Sequence, residues 1–144
     1  MNPCERRGGT GRADQTKSIM VLDGDQDSRT ALQESLDELG HRTHLFSCPR
    51  ALEIPEFDFA GVDLVICDLD ELPQLWKCLL DQIRAQGLDT QLVLSSRKAA
   101  EQEWLEALQL GAFDLLAKPY SKSEVLRVTS NALSMNYNQR FTSI

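Results

Sequence analysis

Four acids, one hydroxyl and one lysine stand at or just beyond the ends of apolar runs in this chain, and together they suit one kind of chemistry. SIMVLD (18–23) ends on Asp23, with Asp25 two residues on; VDLVICD (62–68) ends on Asp68, with Asp70 two residues on. QLVLSS (91–96) carries Ser95, and AFDLLAK (112–118) ends on Lys118 before Pro119. Clustered carboxylates repel one another unless a hard divalent cation sits among them, and Mg2+ accepts such oxygen ligands while keeping several waters. A lysine and a hydroxyl beside that cation can hold the oxygens of a phosphoryl group. A carboxylate in the middle can act as nucleophile and become an aspartyl phosphate, with catalysis mostly by positioning and charge neutralisation. An acid closing so apolar a run as VDLVICD is costly without a purpose, which singles out Asp68.

These residues converge only if the elements carrying them lie side by side. The four runs above, with the weaker HRTHLF (41–46), read as strands; near-continuous apolarity in VDLVICD implies burial on both faces. Between them the period becomes helical. Ala31, Leu32, Ser35, Leu36 and Leu39 recur at helical spacing, with Asp27 or Ser28 as cap and Gly40 as terminator. Pro49 and Pro55 bound a short helix, and Pro73 suits the first turn of a helix whose inward stripe is Leu75, Trp76, Leu79, Leu80 and Ile83. A helix over 99–110 carries Trp104, Leu105 and Leu108 and closes at Gly111; Ser121 or Ser123 caps a last one carrying Val125, Val128, Ala132 and Leu133. Five β–α units predict an α/β fold, a doubly wound parallel sheet with helices on both faces. In such sheets, sites form beyond the carboxyl ends of the strands where strand order switches, which is where these six residues fall.

The chain has 144 residues, 42% of them apolar and 26% charged, enough for one domain with a core of its own. The predicted organisation is a disordered tail over 1–17, one domain over 18–138 and a short end over 139–144. The tail carries Arg6, Arg7, Arg12 and Lys17 against Glu5 and Asp14, so a net charge of −7 leaves −9 on the other 127 residues. So acidic a body argues against direct nucleic-acid binding, which needs a basic face. No apolar run is long enough to span a membrane and no signal peptide is evident, so the expected location is cytoplasmic. Cys4, Cys48, Cys67 and Cys78 are too scattered for a zinc site.

The runs IMVLDGDQDSR, DLVICDLDELP, VLSS and GAFDLLAKPY resemble, in order and spacing, the four signatures of the response-regulator receiver family of two-component signalling, over roughly residues 18–136. The resemblance implies a flavodoxin-like strand order of 2-1-3-4-5. It implies a phosphorelay role, in which Asp68 accepts a phosphoryl group from a histidine kinase or phosphotransfer protein with Mg2+ at the acidic site. Lys118 would contact the phosphoryl oxygens, the Lys118–Pro119 bond would be cis, and Ser95 would report phosphorylation. Such a domain is a phosphoacceptor rather than an enzyme, beyond any self-phosphorylation and self-dephosphorylation. It acts through a downstream protein partner or an attached output domain, and is compatible with a homodimer.

Two departures from the family pattern bear on this. Receivers usually end their first strand with two adjacent acids, the second a direct metal ligand; here the pair reads Asp23-Gly24. That leaves Asp23, Asp68 and Asp70 as the metal candidates, with Asp70 either replacing the missing carboxylate or pairing with Arg97. The aromatic residue common three positions before the strand-five lysine is Leu115 here, so an aromatic switch is not expected. Tyr120 is expected to cover the core edge, and His41 and His44 to lie at an edge or in solvent. Gly24 also favours an alternative, a phosphorylation-independent pseudo-receiver acting as a protein-interaction module. A flavodoxin-like enzyme or cofactor binder is disfavoured because DGDQDS lacks the glycines of a phosphate loop.

Overall fold

The computed structural model describes residues 16–46, 59–70, 75–98 and 100–142, with side chains up to residue 134. Nine elements follow one another: β1 (Ser18–Leu22), α1 (Gln26–Asp37), β2 (Arg42–Phe46), β3 (Leu64–Asp68), α2 (Leu75–Ala85), β4 (Gln91–Ser96), α3 (Glu101–Leu110), β5 (Asp114–Ala117) and α4 (Lys122–Thr142). All strand pairs are parallel and the order is β2-β1-β3-β4-β5, the doubly wound flavodoxin-like arrangement. The expected tail (all but its last two residues), the helix between Pro49 and Pro55 and the role of Pro73 lie outside the described residues.

Strand alternation builds the two halves of the core. Successive side chains on a strand point to opposite faces. Met20 and Leu22, Val65 and Cys67, and Leu92 and Leu94 pack on one face with Trp76, Leu79, Leu80 and Ile83 of α2. Ile19, Val21, Leu64, Ile66 and Val93 pack on the other with Leu32 and Leu36 of α1 and with Val125, Val128, Ala132 and Leu133 of α4. Both sides of the three central strands are thus dry, which is why those strands read as unbroken apolar runs.

One expectation changes. Asp25, not Asp27 or Ser28, caps α1: its carboxylate accepts the Asp27 N–H at 3.2 Å and the Ser28 hydroxyl at 2.8 Å. Leu105 and Leu108 are 51% and 41% exposed, because α3 turns only Ala107 fully inward and leaves Trp104 partly buried. The last helix continues to Thr142. Of the two candidate caps for that helix, Ser121 directly precedes it and its Oγ accepts the Glu124 N–H.

Candidate functional site at the carboxyl rim of the sheet

The sheet order puts β3 at the centre, flanked by β1 and β4. Asp68 is the last residue of β3 and pairs in register with Ser95 of β4. Asp23 follows β1 directly, its N–H donating to Phe46 O at 3.1 Å and so extending the ladder by one residue. Lys118 follows β5 in the same manner, donating from its backbone to Ser96 O at 2.9 Å, and the Lys118–Pro119 bond is cis. Strand geometry, rather than loop conformation, therefore sets where these groups start.

Their side chains meet. The Lys118 ammonium lies 2.9 Å from Asp23 Oδ2 and 3.5 Å from Asp68 Oδ1. All three are nearly sealed from solvent: Asp68 is 2% exposed, Asp23 4% and Lys118 8%. Two buried carboxylates beside each other are tolerable only with a compensating cation; here the lysine supplies it. Burial pushes the Asp68 carboxyl above its ordinary range, aided by the negative charge of Asp23; the Asp70 N–H bonded to Oδ1 at 3.1 Å and the Lys118 charge pull the other way. The Ser95 Oγ is buried and makes no hydrogen bond of good geometry among the described residues, although the Tyr120 hydroxyl is near enough to interact with it.

Tyr120 is more than a cover for the core edge. Its hydroxyl points at Asp23 Oδ2 from 3.4 Å, and its ring lies 5.9 Å from the Lys118 ammonium. Burial raises its phenol, so it stays a donor toward the carboxylate. Neither apolar spacing nor the Lys-Pro-Tyr run gave a signal of this orientation. Cys67, adjacent to Asp68, is a core thiol as expected, and burial pushes its ionisation up. His44 is exposed on the edge strand β2, while His41 Nδ1 accepts the Lys17 N–H at 3.0 Å. The Lys17–His41 contact lies at the opposite end of the sheet.

Asp70 is at the rim but turned away from the cluster. One oxygen accepts the Ser96 hydroxyl and the other the Arg97 N–H at 2.7 Å. The expected ion pair between Asp70 and Arg97 is not formed by the guanidinium, which instead reaches Asp25 Oδ2 at 2.9 Å. Ser96, which holds Asp70, escaped notice in the sequence because Ser95 beside it fitted the signature.

Receiver domains generally bind Mg2+ at their acidic site. Among the described residues no group of three or more His, Cys, Asp or Glu is disposed to hold a metal ion. Gly24 brings no carboxylate, Asp70 spends both oxygens on the loop after β4, and Lys118 neutralises Asp23 and Asp68. The arrangement does not fit a cation held jointly by Asp23, Asp68 and Asp70.

Comparison with known proteins agrees with the fold. The sequence profile of the response regulator receiver domain matches residues 19–130. The chain is 29% identical over 116 residues to the C4-dicarboxylate transport transcriptional regulatory protein DctD of Rhizobium meliloti (strain 1021), covering 80% of this chain and 25% of that protein. It is also 29% identical over 119 residues to the DNA-binding transcriptional regulator NtrC of Azospirillum brasilense, covering 83% and 24%. The chain thus spans about a quarter of the length of these curated relatives. Among solved structures, it resembles the signal receiver domain of an HD domain-containing protein from Pseudomonas fluorescens Pf-5, with 25% identity, a TM-score of 0.70 and coverage of 86% and 99%. No helix among the described residues is long and apolar enough to cross a membrane. With the parallel sheet, its strand order and a profile match over most of the chain, this protein belongs to the response regulator receiver domain family.

Proposed function

We propose that Asp68 is the phosphoryl acceptor of this receiver domain and that Lys118 and Ser95 bind the oxygens of the transferred group. One observation carries the reading. The carboxylate that ends the central strand has an ammonium 3.5 Å away and, in register on the strand beside it, a buried hydroxyl. An Asp68 oxygen forms the new O–P bond while the donor's P–N bond, in a phosphohistidine, or P–O bond, in an acyl phosphate, breaks. The bonding electron pair leaves with the imidazole or carboxylate. Lys118 moves its charge from Asp23 and Asp68 onto the phosphoryl oxygens, and the Ser95 hydroxyl donates to another of them. Tyr120 keeps a donor on Asp23 when the ammonium shifts.

Receiver domains interact with histidine kinases and output domains, and both curated relatives are transcriptional regulators. For this chain the same kinds of partner are proposed, a histidine kinase or phosphotransfer protein upstream and a protein or attached domain downstream. The test is intact mass after incubation with acetyl phosphate, with and without Mg2+, beside an Asp68→Ala control. A gain of one phosphoryl mass that the control lacks is the expected result. No gain on a folded sample, from acetyl phosphate or from a phosphorylated kinase, would overturn the reading and leave an interaction module.

A further inference from the structure

A carboxylate that is 2% exposed cannot be reached by a phosphodonor as the pocket stands. Something must open, and the rim offers a specific connection that keeps it shut. Because β3 lies between β1 and β4, a link from the loop after β1 to the loop after β4 spans the end of β3, the strand that Asp68 closes. Such a link exists. Arg97, two residues past Ser95, extends its guanidinium to Asp25 Oδ2 at 2.9 Å, and Asp25 is anchored as the cap of α1 by the Asp27 N–H and the Ser28 hydroxyl. On the other side, Asp70 holds the backbone of Arg97 through its N–H, while the Asp70 N–H itself bonds Asp68 Oδ1.

We propose that Arg97 is a positioning residue that straps the mouth of the Asp68 pocket to Asp25 and limits how fast a phosphodonor enters. The inference rests on Asp68 being the acceptor for its kinetic consequence, though not for the strap itself. Size follows from setting. The Arg97 and Asp25 side chains are 54% and 33% exposed, and exposed pairs are weak and screened by salt, so the strap is a brake and not a lock. Releasing it is expected to change a rate about threefold, not a hundredfold.

The experiment compares wild type with Arg97→Gln, Asp25→Asn and the double variant. Asparagine is itself a good helix cap, so Asp25→Asn removes the charge while α1 keeps its start. At low salt the rate of labelling by acetyl phosphate should rise about threefold in each single variant and no further in the double. The gap between wild type and variants should close at high salt. Unchanged or lower rates in both single variants, with wild type labelled, would overturn the strap. If wild type is not labelled at all, the acceptor reading has failed and hydrogen exchange decides the strap on its own. The Asp27, Arg97 and Lys98 amides should then exchange severalfold faster in Arg97→Gln, and equal exchange would refute it.

Discussion

Two groups of opposite charges sit a few residues apart at the same end of the sheet, and they obey different physics. In the inner group, Lys118 serves Asp23 and Asp68 almost out of contact with water. In the outer group, Arg97 serves Asp25 in the open. Burial leads the shifts of Asp68, whose carboxyl is held above its ordinary range, whereas hydrogen bonding by Ser28 leads in Asp25, whose carboxyl is held below it. The same residue type is therefore under strain inside and at ease outside. A buried acid poised to react is a cost to the fold that the lysine offsets; an exposed acid on a helix cap is a small gain to it.

The largest effect should come from breaking the inner group at its cation. Lys118→Ala leaves two buried carboxylates uncompensated and is expected to cost about 3–5 kcal/mol in urea unfolding. A loss no larger than that of an ordinary surface substitution would mean that the inner pair is hydrated. Next is Gly24→Asp, which puts a carboxylate beside Asp23 at a position whose glycine is not among those of positive φ. Mg2+ affinity, followed by calorimetry, should rise on the order of tenfold, while Asp70→Asn should leave it unchanged because Asp70 is committed to Ser96 and Arg97.

Asp68→Asn should stabilise the domain at neutral pH, on the order of 1 kcal/mol, the scale of an ordinary single-site change. The sign is set by linkage. With its folded ionisation raised, native Asp68 binds more proton than the unfolded chain between the ordinary carboxylate range and the raised value, so wild-type stability falls as pH rises through that window. The advantage of the variant should accordingly vanish below roughly pH 4. Asp25 has the opposite sign: its contribution is present above the ordinary carboxylate range and fades as pH falls through its lowered value. Asp25→Asn should thus give the smallest stability change of the series, visible at neutral pH and low salt and lost in acid or in high salt.

The inner group was legible in the sequence and the outer one was not, for a physical reason. Asp23, Asp68 and Lys118 each terminate a strand, and Ser95 lies within one. The apolar runs that announce the strands also deliver these residues to one rim through the strand order. β4 (Gln91–Ser96) and the inward stripes of α2 and α4 were readable for the same reason, since burial imposes the period. Arg97 and Asp25 lie in loops 72 residues apart, where no period constrains a long side chain, and Asp70 was the nearer-seeming partner. The outward turn of Leu105 and Leu108 was hidden because helical spacing alone cannot say how far a helix is rolled against its sheet.

The most direct test of the central claim is to locate the modification by mass spectrometry of peptides after acetyl phosphate treatment, with the acyl phosphate kept intact. A single phosphoryl group is expected on the segment that ends β3, assigned to Asp68 and absent from Asp68→Ala. Phosphoryl groups on His41, His44 or Ser95 instead, or labelling that persists in Asp68→Ala, would contradict it.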